Sequence, residues 1–297
     1  MEVSLFLQAS PAAFLITVGV VALLVGSFLN VVIHRLPIMM EREWKAECRE
    51  LLATDGNPAT TATEPQERYN LIVPRSRCPH CGHMIRAWEN VPVVSYLVLR
   101  GRCASCGAAI SAQYPLVEAL TGLLAVVVAW HFGYTPQTLA ALGFTWALIA
   151  LAVIDLRTQL LPDAITQPLL WAGILVNLLW GLFADVQSSI LGAVFGYLSL
   201  WLVYHGFKLL TGKEGMGFGD FKLLAALGAW LGWQSLPLII LLSSFVGAAI
   251  GIALILIRGR DRNIPLPFGP YLAIAGWIAL LWGEDITRSY LGSVGLP

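Results

Sequence analysis

The chain has 297 residues, of which 57% are hydrophobic and 12% charged, with zero formal net charge and a mean hydropathy of +0.73. Soluble domains carry about 25% charged residues, so the composition excludes an ordinary soluble domain and describes a polytopic membrane protein. The absence of net positive charge argues against nucleic acid as a partner.

Residues 1–13 contain Glu2 but no Lys or Arg. They lack the basic start of a secretory signal, so the first apolar segment is expected to stay in the mature protein. Crossing a ~30 Å hydrocarbon core takes ~20 apolar residues as a helix. Candidate segments run over 14–33, 115–132, 138–154, 165–183, 190–210, 221–231, 236–257 and 271–282. The expectation is an all-α polytopic membrane protein of about eight transmembrane helices, with lipid as a constant partner. The sixth and eighth segments are short, and the sixth begins directly from a glycine-rich loop. Broken segments of this kind are tolerated where backbone lines a polar cavity.

Basic residues set the orientation. Arg35 through Arg102 fall between the first two segments. With eight spans, Arg157, Lys208, Lys213, Lys222, Arg258, Arg260 and Arg262 fall on the same side, and only Arg288 lies opposite. These loops are therefore expected to face the cytoplasm, with both termini outside. The chain divides into a first transmembrane helix (1–33), a cytoplasmic loop (34–112) and a membrane-embedded region (113–297). Within the loop, residues 41–67 read as a helix-prone stretch followed by a loose Thr/Ala/Pro-rich linker. No internal repeat is evident.

Cys78-Pro79-His80-Cys81 and Cys103-Ala104-Ser105-Cys106 are separated by residues 82–102, close to a four-cysteine zinc spacing. Four thiolates make a closed tetrahedral set, the pattern of a structural rather than a catalytic zinc. A pair of redox dithiols competes with this reading, but a reducing cytosol disfavours stable disulfides. His80 and His83 read as bystanders, and Cys48 as a spare thiol.

The third segment ends Ile154-Asp155-Leu156-Arg157, and Leu161-Pro162-Asp163 leads into the fourth. Asp163 is placed to cap the fourth helix. Asp155 meets the negative end of its helix dipole, so stability gives no reason for it. The sixth segment opens Gly215-Met216-Gly217-Phe218-Gly219-Asp220-Phe221-Lys222. A bland reading makes Asp220 a cap of the next helix; the alternative pairs it with Asp155 at one membrane face. Two carboxylates a few ångströms apart share a proton. One can then take a proton from water while the other gives one to a carbonyl oxygen, which is aspartyl protease chemistry. The glycines at 217 and 219 would let a substrate backbone approach Asp220.

These residues together resemble the bacterial type IV prepilin peptidases, membrane aspartyl proteases of the G-x-G-D kind. The resemblance covers nearly the whole chain. It rests on residues 26–37 (GSFLNVVIHRLP), the cysteine quartet, 113–118 (QYPLVE), Ile154-Asp155, Leu161-Pro162-Asp163, Gly217-Phe218-Gly219-Asp220 and 267–273 (PFGPYLA). It implies that Asp155 and Asp220 form the catalytic pair, supported by Gly217, Gly219 and Lys222, and that 113–297 is the peptidase domain. It implies substrates in prepilins and type II secretion pseudopilins, cut after a leader glycine at the cytoplasmic face of the inner membrane. Members with the cysteine-bearing loop also N-methylate the new N-terminus using S-adenosylmethionine. No G-x-G-x-x-G or P-loop spacing marks a methyl-donor site here. The stretch 48–67 departs from the family by its length.

Three further residues stay open at this level. Glu118 reads as snorkelling to the interface or as part of a methyl-transfer or substrate site. Lys222 reaches headgroups or pairs with Asp220 or another carboxylate, and Asn30 with His34 orders the loop or sits at the interface. The eleven tryptophans mostly lie near segment ends, as an interfacial belt requires. Two rival functions remain, an ion- or proton-coupled transporter and a membrane thiol oxidoreductase.

Overall fold

The computed structural model describes residues 2–54, 68–213, 215–258 and 266–294. Regular structure among them is helical: α1 (Glu2–Ala9), α2 (Pro11–Thr54), α3 (Val94–Val98), α4 (Gln113–Phe132), α5 (Pro136–Thr158), α6 (Asp163–Trp180), α7 (Val186–Thr211), α8 (Phe218–Leu231), α9 (Leu236–Arg258) and α10 (Gly269–Val294). Five stretches are long and apolar enough to cross a membrane: Pro11–Leu52, Gln113–Phe132, Pro136–Thr158, Val186–Thr211 and Trp233–Ala253. Of the eight expected spans, those matching α6, α8 and α10 fall outside this group. With 14 residues, α8 is only about 21 Å long. The helix that carries the first expected span does not stop near residue 33: α2 continues through Pro37 to Thr54. The Thr/Ala/Pro-rich linker expected up to residue 67 lies outside the described residues.

The chain forms two compact units, residues 18–123 and residues 1–17 with 124–297. In the smaller unit, α2 and the start of α4 meet where Gly26 faces α4; a Cβ there would sit 2.8 Å from Glu118 Cα. Small residues let helix backbones approach closely in membranes. Asn30 Nδ2 donates to Tyr114 O at 3.0 Å. The buried Arg35 donates to Asn70 O at 2.9 Å and Pro74 O at 2.6 Å, holding the loop to α2.

In the larger unit α8 is the core. Asp220, Phe221 and every residue from Leu223 to Trp230 are buried. Gly192 and Gly196 of α7 lie against the α8 backbone at Gly228 and at Leu224 and Ala225, and a Cβ at Gly196 would come 2.6 Å from Leu224 O. On the other side, Asn177 of α6 uses its whole side chain. Its Nδ2 donates to Ala229 O and Trp230 O, both at 3.0 Å, and its Oδ1 accepts the Phe183 and Ala184 N–H groups. The end of α8, with carbonyls that lack intrahelical partners, is thus satisfied inside the protein. The Trp230 indole N–H completes the join by donating to Leu169 O at 2.7 Å.

Candidate active site and metal cluster

Asp155 lies in the last turn of α5, which ends at Gln159 in the left-handed conformation, its N–H donating to Asp155 O. The Asp155 carboxylate is buried and its Oδ2 accepts the Gly269 N–H at 3.0 Å. Gly269 is the first residue of α10, so this N–H is one of the first-turn donors that the helix itself cannot use. Asp220 stands in the first turn of α8 and is buried too; the Gly217 N–H at the N-cap reaches its carboxylate. The structure brings the two aspartates together, close enough for their charges to interact.

Leu161 packs between the strands of chain that carry them. A Cβ at Gly219 would be 2.7 Å from Leu161 Cβ, and one at Gly269 would be 3.1 Å from Leu161 Cδ2. Gly219 therefore makes room for Leu161, not for an approaching backbone. Gly217 faces more open space, with Asp220 Oδ2 at 3.9 Å from its Cβ position.

Three further residues are placed by the structure, Asp163 and Lys222 in the larger unit and Glu118 in the smaller. Asp163 is not a cap: Pro162 holds the N-cap position, and Asp163 is the first residue of α6. Its carboxylate takes both of its contacts from Lys222 Nζ, at 2.7 and 2.6 Å. Lys222 therefore bridges α8 to α6, which of the open alternatives is the pairing with a carboxylate other than Asp220. Glu118 does not snorkel. It is buried, with Oε2 accepting the Val93 N–H at 2.7 Å and the Ser27 side chain as a second partner.

In the smaller unit the ligand sulfurs of Cys78, Cys81, Cys103 and Cys106 lie within 4.8 Å of one another. Cys78 and Cys106 are 3.9 Å apart, and Cys81 and Cys103 4.0 Å. All four are free thiols, as is the exposed Cys48. His83 stands aside, its ring on Glu89 at 3.1 Å. A short repeat missed in the sequence builds the cluster. Arg77-Cys78-x-x-Cys81-Gly82-x-x-Ile85 and Arg102-Cys103-x-x-Cys106-Gly107-x-x-Ile110 fold alike, each with one antiparallel bridge (Arg77 to Met84, Arg102 to Ala109). In the first knuckle Cys78 N donates to His83 O and Gly82 N to Cys78 O; in the second, Cys103 N donates to Ala108 O and Gly107 N to Cys103 O. Gly82 and Gly107 have φ of +71° and +70°, a turn that side chains resist.

Backbone N–H groups of Cys81 and His80 hold the Cys78 thiol down at about 7, and those of Cys106 and Ser105 lower Cys103. The Ala108 N–H favours the Cys106 thiolate, but hydrogen bonding with Cys81, burial and the other sulfurs outweigh it and push Cys106 up to about 11. Four thiolates this close cannot all be charged without a cation, and the four sulfurs are close enough together that they could hold a metal ion.

An all-helical membrane protein with a buried carboxylate pair and a separate four-cysteine cluster is the class these features define. Residues 20–132 match the family described as Bacterial Peptidase A24 N-terminal domain, and residues 142–252 match the Type IV leader peptidase family. A prepilin leader peptidase/N-methyltransferase of Pseudomonas aeruginosa is 59% identical over 290 residues, covering 98% of each chain. One of Aeromonas salmonicida is 62% identical over 273 residues, 92% of each. One of Burkholderia pseudomallei is 54% identical over 272 residues, 91% of this chain and 85% of that one. The chain belongs to the type IV leader peptidase family. No solved structure gives a significant match, and nothing in these relatives supports the transporter reading.

Proposed function

We propose that this chain is a membrane aspartyl endopeptidase that removes the short basic leader of type IV prepilins and type II secretion pseudopilins, cutting after a glycine, and that it N-methylates the exposed residue. The observation that carries the reading is the meeting of two buried carboxylates from separate helices, Asp155 and Asp220, in a chain whose relatives bear the name of that activity. The pair would share one proton. A water between the carboxylates loses a proton to the ionised one as its oxygen attacks the carbonyl carbon, while the protonated one donates to the carbonyl oxygen. The tetrahedral intermediate collapses when a proton returns to the leaving nitrogen. Gly217 would border the substrate backbone, and Leu161 and Lys222 would hold the loop's shape.

The eight-span topology, with the aspartates facing the cytoplasm at the inner membrane and the peptidase in 113–297, is part of the same proposal. The one-sided arginines and lysines of the sequence support it.

The cysteine cluster fits zinc. Tetrahedral sulfurs bound at about 2.3 Å stand roughly 3.8 Å apart, close to the two separations found. Cys78, Cys81, Cys103 and Cys106 would hold the ion, which would fasten the two knuckles together. S-adenosylmethionine would be the methyl donor; the N-methyltransferase half of the relatives' name supports the methyl-transfer activity.

The test is cleavage of a prepilin by the purified protein in detergent, with leader and mature fragments identified by mass spectrometry. Cleavage after the leader glycine supports the reading. An intact, metal-loaded protein that leaves the substrate whole would sink it.

A further inference from the structure

The segment between the two knuckles has an apolar exterior. It contains a 3-10 turn (Ala87–Asn90) and α3, and exposes Trp88, Val91, Val94, Leu97 and Val98, the last two at 67% and 71%. So compact a patch marks an interaction surface.

Two ties fix where the patch lies. Asn90 Nδ2 donates to Ser27 Oγ at 3.3 Å, and the Val93 N–H donates to Glu118 Oε2 at 2.7 Å. Ser27 and Glu118 belong to the apolar stretches of α2 and α4, beside the close contact at Gly26. Ser27 precedes Ile33 by six positions, about 9 Å further along the helix and away from the loop end. The patch is therefore pinned alongside the membrane-crossing part of its own helices.

The backbone suits that place. In hydrocarbon, irregular chain survives only if its polar groups are satisfied by protein. Here the N–H groups of Leu97, Leu99, Arg100, Gly101 and Arg102 all donate to carbonyls within the segment. Val93 has a φ of +61°, rare for a β-branched residue, and the buried Glu118 takes its N–H. Arg86 and Arg100 flank the segment, where basic side chains can reach headgroups.

We propose that residues 91–98 form a re-entrant turn inserted into the bilayer on the side of the cysteine cluster, with lipid acyl chains as its partner. This assigns part of the loop to the membrane and does not depend on the catalytic reading.

The test uses the wild-type chain in nanodiscs made with a lipid bearing a photoactivatable diazirine on its acyl chain, with adducts located by mass spectrometry. Leu241 and Phe245, exposed on α9, serve as lipid-facing references, and Leu52, exposed on α2 about 28 Å beyond Ile33, as a reference outside the bilayer. Leu97 and Val98 are expected to label like Leu241, and about tenfold more than Leu52, since only a hydrocarbon-embedded side chain meets the probe. Labelled references with unlabelled Leu97 and Val98 would overturn the proposal. So would protection of these two side chains from water-phase labelling only when a prepilin is added, because the face would then be a protein dock.

Discussion

The Gly269 N–H donates to Asp155 Oδ2 across 114 positions of sequence, at 3.0 Å. It uses a free donor at the start of α10 to fix a carboxylate at the end of α5, and there is no room at Gly269 for a side chain. A Cβ would lie 2.6 Å from Asp155 Oδ2. Gly269→Ala is therefore expected to lower kcat about 100-fold, the scale of a displacement of roughly 1 Å in a reacting group, with KM little changed. Gly269→Ala with Leu161→Ala separates this from packing. The double variant relieves the Leu161 contact only, so kcat should stay low; recovery would show that Gly269 matters as a spacer for Leu161.

Asp155→Asn and Asp220→Asn should each reduce prepilin cleavage by at least 100-fold, the lower range of general acid–base catalysis. Methylation of a pilin supplied already cleaved should continue. Turnover near wild type in either variant would remove the pair as the catalytic centre, even if Gly269→Ala is impaired.

The Lys222–Asp163 bridge joins two helices, yet the side chains are 28% and 59% exposed. Exposed ion pairs contribute about 0–1 kcal/mol. Lys222→Gln should then keep cleavage within about threefold and shift thermal unfolding only slightly. A collapse of activity with intact folding would move Lys222 from scaffold to substrate contact.

Gly192→Ala places a methyl group against the Gly228 carbonyl, where backbone cannot yield as a flexible side chain can. Overpacking costs typically 1–3 kcal/mol, so detergent thermostability should fall clearly. Gly206→Ala on the same helix meets nothing within 4 Å and should be neutral or slightly stabilising. Equal unfolding temperatures would mean that α7 and α8 do not meet through these glycines.

Removal of the metal by a strong chelator should open the two knuckles, making the chain near Cys78–Cys106 sensitive to limited proteolysis. Adding zinc back should restore protection. Resistance that is unchanged after metal loss, measured by elemental analysis, would show that the cluster folds without an ion.

Much of this was legible in the sequence because chemistry confines certain residues to certain places. A carboxylate at a helix C-terminus or two C-x-x-C pairs have few structural excuses, so Asp155 and the four cysteines stood out, and Asp220 did so through its pairing with Asp155 and its glycine-rich approach. What escaped were partners remote in sequence. Nothing local ties Gly269 to Asp155 or Lys222 to Asp163, 59 positions away, and Leu161 looks like any apolar residue. Glu118 stayed open for the same reason, since its partner is a backbone N–H in a loop. The R-C-x-x-C-G repeat was visible, but the cysteines drew attention from the Arg, Gly and Ile that make each knuckle the same turn.

The shortness of α8 bears on the surroundings of the enzyme as much as on its interior. A helix of about 21 Å cannot span a hydrocarbon layer near 30 Å, so under the proposed topology the end carrying Asp220 begins below the level of the headgroups; α8 is buried from lipid by its neighbours, and water and substrate must reach that depth through the protein. Thickness mismatch costs fractions of a kcal/mol per ångström, which makes the bilayer a kinetic variable. Longer acyl chains would deepen the barrier that a charged leader must cross to present its glycine, and shorter ones would lower it. Lipid composition could then set the rate of pilin maturation with no change in the protein.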